Sequence, residues 1–413
     1  MRKIHAAFFA ALCLGLAVCP VETGAARKAA YVTVAAGPFD RRETVVSFTM
    51  PGGLKASLYR LRDESGRLLP LQVDAGRQAT FVLPELKANT VKRFRLEAWK
   101  PGAAVQGVET VREGNKLILR TAGRQALAYQ SQGELPRADI KPIFRRGGYL
   151  HPVYTPSGRV VTDDYPPKHL HHHGIWFAWT KTEFGGRKPD FWNMGEGTGA
   201  VEFVALAGTW SGPVHGGFQA RHRYVDLSGP EPQTVLNEVW EVLAYGVGHK
   251  ELTFPGAKPY SMFDLVSTQT CAAATPLVLP EYHYGGMGFR GHRQWDGKEN
   301  TFFLTSEGKD RSNGHGTRAR WCHIGGRVDG QLVGIAILGH PDNFRAPQPM
   351  RIHPDEPFFC FAPSQMGRWE IAPGKPYISR YRYVVTDGPP DRAELERLWN
   401  DYANPPEVTI SHR

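Results

Sequence analysis

Short apolar runs with partial alternation recur along most of the chain. "AYVTVAA", "ETVVSFTM", "ASLYRLRD", "ATFVLP" and "KRFRLEAW" occupy residues 30–100. β-Branched and aromatic side chains at alternate positions give one apolar face of a pleated strand. "PGG", "ESGR" and "DAGR" break the runs with turn-forming residues. Several short strands in so short a span predict a small immunoglobulin-like sandwich over residues 30–100. "KPGAAVQG", residues 100–107, reads as a linker.

The same texture continues through residues 108–388. "NKLILRTAG", "ALAYQSQ", "GAVEFVALAGTW", "QTVLNEVWEVLAYG", "ENTFFLTSEG", "QLVGIAILGH" and "YISRYRYVV" are strand candidates. "VWEVLAY" alternates, whereas "LVGIAIL" is continuous, as in a strand covered on both faces. So long a stretch without an internal helix calls for two large packed sheets or a barrel. One helix is predicted, over residues 389–404. Leu395, Leu398, Trp399 and Tyr402 repeat at helical spacing, Asp391 can cap the start and Pro405 ends the run.

Composition agrees with a folded, turn-rich β protein. The chain has 413 residues, is 41% hydrophobic and 22% charged, and holds 45 Gly and 32 Pro. Residues 1–25 read as a cleaved secretory signal: Arg2 and Lys3, the short apolar core "AAFFAALCLGLAV", then the small residues "TGA". The expected location is therefore the periplasm or the exterior. A lipoprotein anchored through Cys19 is the weaker alternative, because Val18 is bulky for that site. No later run is long enough for a membrane helix. Beyond the signal remain Cys271, Cys322 and Cys360, without CxxC spacing, which argues against a cysteine-based zinc site and leaves room for one disulfide. The net charge of +10 is scattered and forms no dense basic stripe, so nucleic acid is not expected as a partner.

The chemistry concentrates in four places. "KHLHHHGIWFAW", residues 168–179, holds four of the chain's 16 histidines. On an extended chain His169, His171 and His173 share one face, and His172 points to the other. The run fits a metal site, an acid–base centre, or a polar strand end bonded to backbone; imidazoles two residues apart on a strand can share an ion. In "LPEYHYGGMGFRGHRQW", Glu281 and His283 are two apart and form a candidate acid–base pair, with Arg290 as a clamp for a carboxylate or a hydroxyl. "GIAILGHPDNFRAP" ends a buried strand with His340, Asp342, Asn343 and Arg345. "PDFWNMGEG" offers Phe191 and Trp192 beside Asn193 and Glu196, a combination suited to sugar faces and hydroxyls, and Trp176 adds a further aromatic. Nucleophile elbow, P-loop, dinucleotide fingerprint and HExxH are all missing.

Several blocks, in order, resemble a known family. "HPVYTPSGRVVTDDYPP", "HLHHHGIWFAW", "DFW", "ARWCHIGGRVDGQLVGIAILGHPDNFRAP" and "FFCFAPSQMG" look like the secreted bacterial family named methane oxygenase PmoA, over roughly residues 110–388. The family's Asp-His-x-His-His pattern falls on His169, His171 and His172, with Lys168 in place of the acid. Its His-Pro block falls on His340, Asn343 and Arg345, and its later His-x-Arg is blurred around His353. The name conflicts with the chain, since the membrane methane monooxygenase subunit spans the bilayer and no such span is present here. The resemblance implies a soluble β-supersandwich over residues 108–388, similar to the galactose mutarotase group, often found among glycan-degradation genes. That group's His acid and Glu base would correspond, by fold analogy, to His172, His283 and Glu281.

Three readings follow. A carbohydrate-acting enzyme (epimerase, lyase or hydrolase) would use His171, His172, Glu281 and His283 as catalytic groups. Trp176, Trp192, Arg290, His340, Asn343 and Arg345 would then hold a glycan or small sugar. A His-ligated metalloprotein, oxidase or metal-assisted lyase, would bind a divalent ion through His169 and His171 with further histidines. A non-catalytic glycan-binding envelope protein would show aromatic residues without buried, paired titratable groups.

Overall fold

In the computed structural model, residues 30–52, 59–99, 107–248 and 258–412 are described. The signal reading, with Cys13 and Cys19, and the linker up to residue 106 fall outside them. The architecture is mostly β, built from antiparallel sheets, with one α-helix among the described residues.

A seven-stranded sheet runs in the order Arg41–Thr49, Gln78–Leu86, Leu68–Val73, Tyr59–Arg62, Val91–Ala98, Ala30–Ala35, Glu407–His412. Alternation works here as the sequence suggests: Val32, Val34, Leu61, Phe81, Leu83 and Phe94 are fully buried against one another. Two members lay beyond the sequence expectation. Leu68–Val73 is one, and Glu407–His412, paired with Ala30–Ala35, is the other.

Two eight-stranded sheets form the larger sandwich. The first runs Met350–Ile352, Phe358–Phe361, Gly286–Arg290, Ile175–Ala178, Tyr149–Val153, Arg124–Gln130, Lys116–Thr121, Val108–Glu113. The second runs Gly199–Trp210, His215–Asp226, Gln233–Tyr245, Tyr260–Cys271, Tyr377–Asp387, Gln331–Gly339, Trp321–Val328, Thr301–Thr305. Ile175, Phe177, Phe289 and Phe359 from the first share one core with Phe218, Phe263, Ile335 and Tyr383 from the second. This buried interior orients the site, because residues alternating with that set must lie on the first sheet's other face.

The helix Arg392–Ala403 starts where the sequence placed it, with the Asp391 side chain accepting from the Glu394 N–H. Leu395 and Leu398 pack on Tyr245, Trp321 and Leu338 of the second large sheet, and Val45 and Val82 of the seven-stranded sheet join the same cluster. Asp401 ties the helix down, accepting from Arg41 at 3.0 Å and Thr44 at 2.9 Å. Cys271, Cys322 and Cys360 are all free thiols.

Candidate functional site

Four strands of the first large sheet contribute a row of cross-strand neighbours on the face opposite Ile175, Phe177, Phe289 and Phe359: Trp176, Gly288, Cys360 and Arg351. Gly288 has no side chain because none would fit. A Cβ there would stand 2.9 Å from Trp192 and 3.0 Å from Trp176. The two indoles lie with centroids 4.9 Å apart over that gap. Both are buried, so neither presents the open stacking face expected for sugar; they form a floor instead.

The histidine run lies on this floor as a turn. His169 N–H donates to Pro166 O at 2.9 Å and His172 N–H to His169 O at 2.8 Å. That geometry corrects the extended-chain expectation. The turn gathers His169, His171 and His172, whose ligand nitrogens lie within 4.8 Å of one another. His173 points elsewhere. Nitrogens around a tetrahedral zinc-like ion with bonds of ~2.0–2.1 Å sit about 3.3 Å apart, so the three rings would have to close in on an ion from their present spacing. The His172 ring stacks on His169 at 4.7 Å and on Phe358 at 4.9 Å. Its Nδ1 is buried and has no hydrogen-bond partner.

All of this favours neutral imidazole. Burial, and then the neighbouring rings of His169 and His173, push His171 down to about 4. Burial, reinforced by His171 and Arg290, drives His172 well below its ordinary value. Neutral imidazole is the ligand form.

Carboxylates brace the cluster. His169 Nε2 lies 3.1 Å from Glu356 Oε2, so a proton on Nε2 is donated there and the Nδ1 lone pair stays free. Burial works to raise Glu356, yet hydrogen bonds from His169 and Arg290 hold it at about 2. Arg290 is buried between Glu356 and Asp296, which take its Nη1 and Nη2 and leave its Nε without a partner. His169, His353 and Glu356 form a second set of possible ligands. In that set, His353 Nδ1 accepts from the N–H groups of Asp355 at 3.2 Å and Glu356 at 3.1 Å. Its neutral ring therefore carries the proton on Nε2, which makes it a donor and favours the first set as the metal centre.

A family model described as "Family of unknown function (DUF6807)" matches residues 116–400. The chain belongs to DUF6807. That description does not support the methane oxygenase name. No curated protein matches the chain. Among solved structures, the chain is similar to a glycosyl hydrolase family 38 protein from Enterococcus faecalis: TM-score 0.46, 10% identity, 94% of this chain and 48% of that one. It is also similar to an alpha-mannosidase from Enterococcus faecalis V583: TM-score 0.39, 10% identity, 93% and 46%. The chain thus spans about half the length of these structures, and at such scores neither bears on its chemistry.

The remaining expected residues of this DUF6807 chain divide by location. Glu281 and His283 are exposed and lie in an irregular segment before Gly286–Arg290, so the strand that would have paired them is absent. No hydrogen bond or ion pair joins them among the described residues. His283 does reach the site's flank through ring contacts, at 4.9 Å to Tyr284, which is 5.3 Å from Trp192. His340 and Asn343 line a separate cavity of about 250 Å³ beneath Trp399. Asn343 is spent on backbone, bonding Arg380 O and N–H at 2.8 Å each. Arg345 likewise bonds the carbonyls of Pro363 and Gly367. Both shape loops and do not meet the histidine cluster.

Sequence reasoning passed over Glu356 and Arg351, and met His353 only through the family resemblance, without a role. A repeated motif could have found two of them. His-Pro-Asp occurs at 340–342 and again at 353–355, and in both the imidazole Nδ1 accepts from the aspartate N–H. Only the second copy adjoins the cluster. Asp190 was also missed; it accepts from Thr180 and from the N–H of Trp192, fixing that indole above Gly288.

Proposed function

We propose that this protein is an exported metalloenzyme acting on carbohydrate, with a divalent ion held by His169, His171 and His172. The observation that carries the reading is the convergence of those three nitrogens within 4.8 Å. Three imidazoles leave an open coordination position, the arrangement of catalytic rather than structural zinc-like sites. Bound there, an ion would polarise a carbonyl or hydroxyl oxygen or activate water. The chain supplies the rest. Glu356 orients His169 by accepting its Nε2–H, Arg290 keeps Glu356 ionised, and the Trp176–Trp192 floor keeps water from beneath His172. Carbohydrate as substrate is supported by the rings of Tyr282 and Tyr284, half-buried on the flank and 4.9 Å apart. Export is supported by the residue 1–25 pattern.

The His169–Glu356 contact favours a second reading, metal-free acid–base catalysis through that dyad. One experiment separates the two. Plasma mass spectrometry of the purified protein should find close to one divalent ion per chain, lost in His171→Ala and in His172→Ala. Absence of metal from the parent, after offering zinc, manganese, iron and copper, would remove the metalloenzyme reading in favour of the dyad.

A further inference from the structure

The edge strand Met350–Ile352 carries a cation without an ion pair among the described residues. Arg351 is half-buried, and no carboxylate there pairs with it. Its one side-chain hydrogen bond, Nη1 to His315 Nε2, is 3.5 Å long, and its Nε is buried without a partner. Taking a guanidinium out of water without a counter-charge is costly. Three other buried arginines avoid that cost with a carboxylate, and a fourth, Arg146, is met by a carbonyl alone. Arg41 pairs with Asp401, Arg290 with Glu356 and Arg382 with Asp264, while Arg146 is bonded to the Phe177 carbonyl.

Position gives the unpaired charge a meaning. Arg351 stands opposite Cys360 in the row that continues through Gly288 to Trp176, so it faces the side that bears the histidine cluster. Strand alternation puts His353 on the same side, and the His353 ring is 6.3 Å from His169. His353 adds an Nε2 proton, since its Nδ1 accepts from backbone. The titratable groups that face Arg351 are Cys360, Tyr284 and Tyr282 and the rings of His283, His315 and His353, with no carboxylate among them. With Nε buried, the open end of this half-exposed guanidinium is its Nη pair, whose parallel N–H groups match a planar carboxylate.

We infer that Arg351, with His353 beside it, forms an anion subsite that seats the carboxylate of an acidic sugar next to the histidine cluster. The sugar ring would lie toward Tyr282 and Tyr284, whose half-buried rings suit its C–H face. The inference deepens the proposed function by naming the substrate class. Carboxylate binding itself needs no metal, so the two stand or fall separately.

The test is titration calorimetry with glucuronate, glucose and inorganic sulfate, on full-length protein both chelator-treated and metal-loaded. Glucuronate should bind saturably to both forms, at least tenfold tighter than glucose or sulfate. Arg351→Gln should weaken glucuronate at least tenfold without altering metal content or the melting temperature. Arg351→Lys keeps the charge but loses the fork, so it should weaken binding several-fold; it carries the test should the glutamine variant not fold. Glucuronate and glucose binding alike, sulfate binding as well as glucuronate, or glucuronate affinity in Arg351→Gln within twofold of the parent would each overturn the subsite. Loss of metal stoichiometry with intact, Arg351-dependent glucuronate binding would overturn the metal centre alone.

Discussion

His173 Nδ1 lies 2.7 Å from Asp164 Oδ1, and this contact divides the histidine run into two parts with different work. Asp164 also accepts from Tyr149 OH at 2.8 Å, so one carboxylate satisfies two buried groups behind the cluster. His173 is fully buried, at 0% exposure, and anchors the turn that presents its neighbours. Asp164→Ala leaves an imidazole and a phenol without their acceptor. We expect a loss of about 1–3 kcal/mol in chemical denaturation. Metal content at saturation should stay that of the parent; its disappearance would show that His173 belongs to the metal centre.

Gly288 lies against the tilted pair of indoles Trp176 and Trp192. Gly288→Ala puts a methyl into a space already taken by Trp176 and Trp192. Overpacking of this kind costs about 1–3 kcal/mol. The displaced Trp192 should also disturb His172, whose ring is 6.1 Å from it. A lower melting temperature together with weaker metal binding is the expected pair of results. An unchanged melt would mean the indoles move freely.

Glu356 is shared by His169 and Arg290. Glu356→Gln keeps the shape but removes the charge that orients His169 and balances Arg290. Outer partners of this kind are worth roughly 10–100-fold in metal affinity. Competition with a chromophoric chelator reads the change directly, and an affinity equal to the parent's would remove Glu356 from the centre's support.

His323 gives a pH dependence that is independent of the site. Both ring nitrogens are buried without partners, and burial holds the group at about 3 against an ordinary 6.5. Below pH 6.5 the unfolded chain takes up a proton that the folded chain refuses. Stability is therefore present above 6.5 and lost as pH falls toward 3, by about 1.4 kcal/mol per pH unit for this group. His323→Leu should flatten the stability–pH curve between pH 6.5 and 4 in urea titrations. A slope identical to the parent's would assign the acid sensitivity to other groups.

The sequence made the strands legible because alternation survives wherever one face meets a core, as in Ala30–Ala35 and Gln233–Tyr245. The helix was legible for the same reason: Leu395 and Leu398 keep helical spacing and Asp391 stands at the cap. The site was only half legible. Residue type drew attention to the histidine run, but the facing of its members depended on a turn whose closing hydrogen bond joins His172 to His169, and a period-two reading misassigned it. Arg290 was marked as a free clamp because its partners, Asp296 and Glu356, could be recognised only after folding brought them to it. Arg351 carried no local signal at all. Its significance is the absence of a partner, which exists only in three dimensions.

Ala30–Ala35 pairs on one side with Val91–Ala98 and on the other with Glu407–His412. Chain entropy makes the first pairing early and the second late. A chain that folds while it is still being made therefore holds an open strand edge until its last strand arrives. Residues 407–412 then close it like a latch, and the seven-stranded sheet becomes a seal on the completion of everything between its first strand and its last.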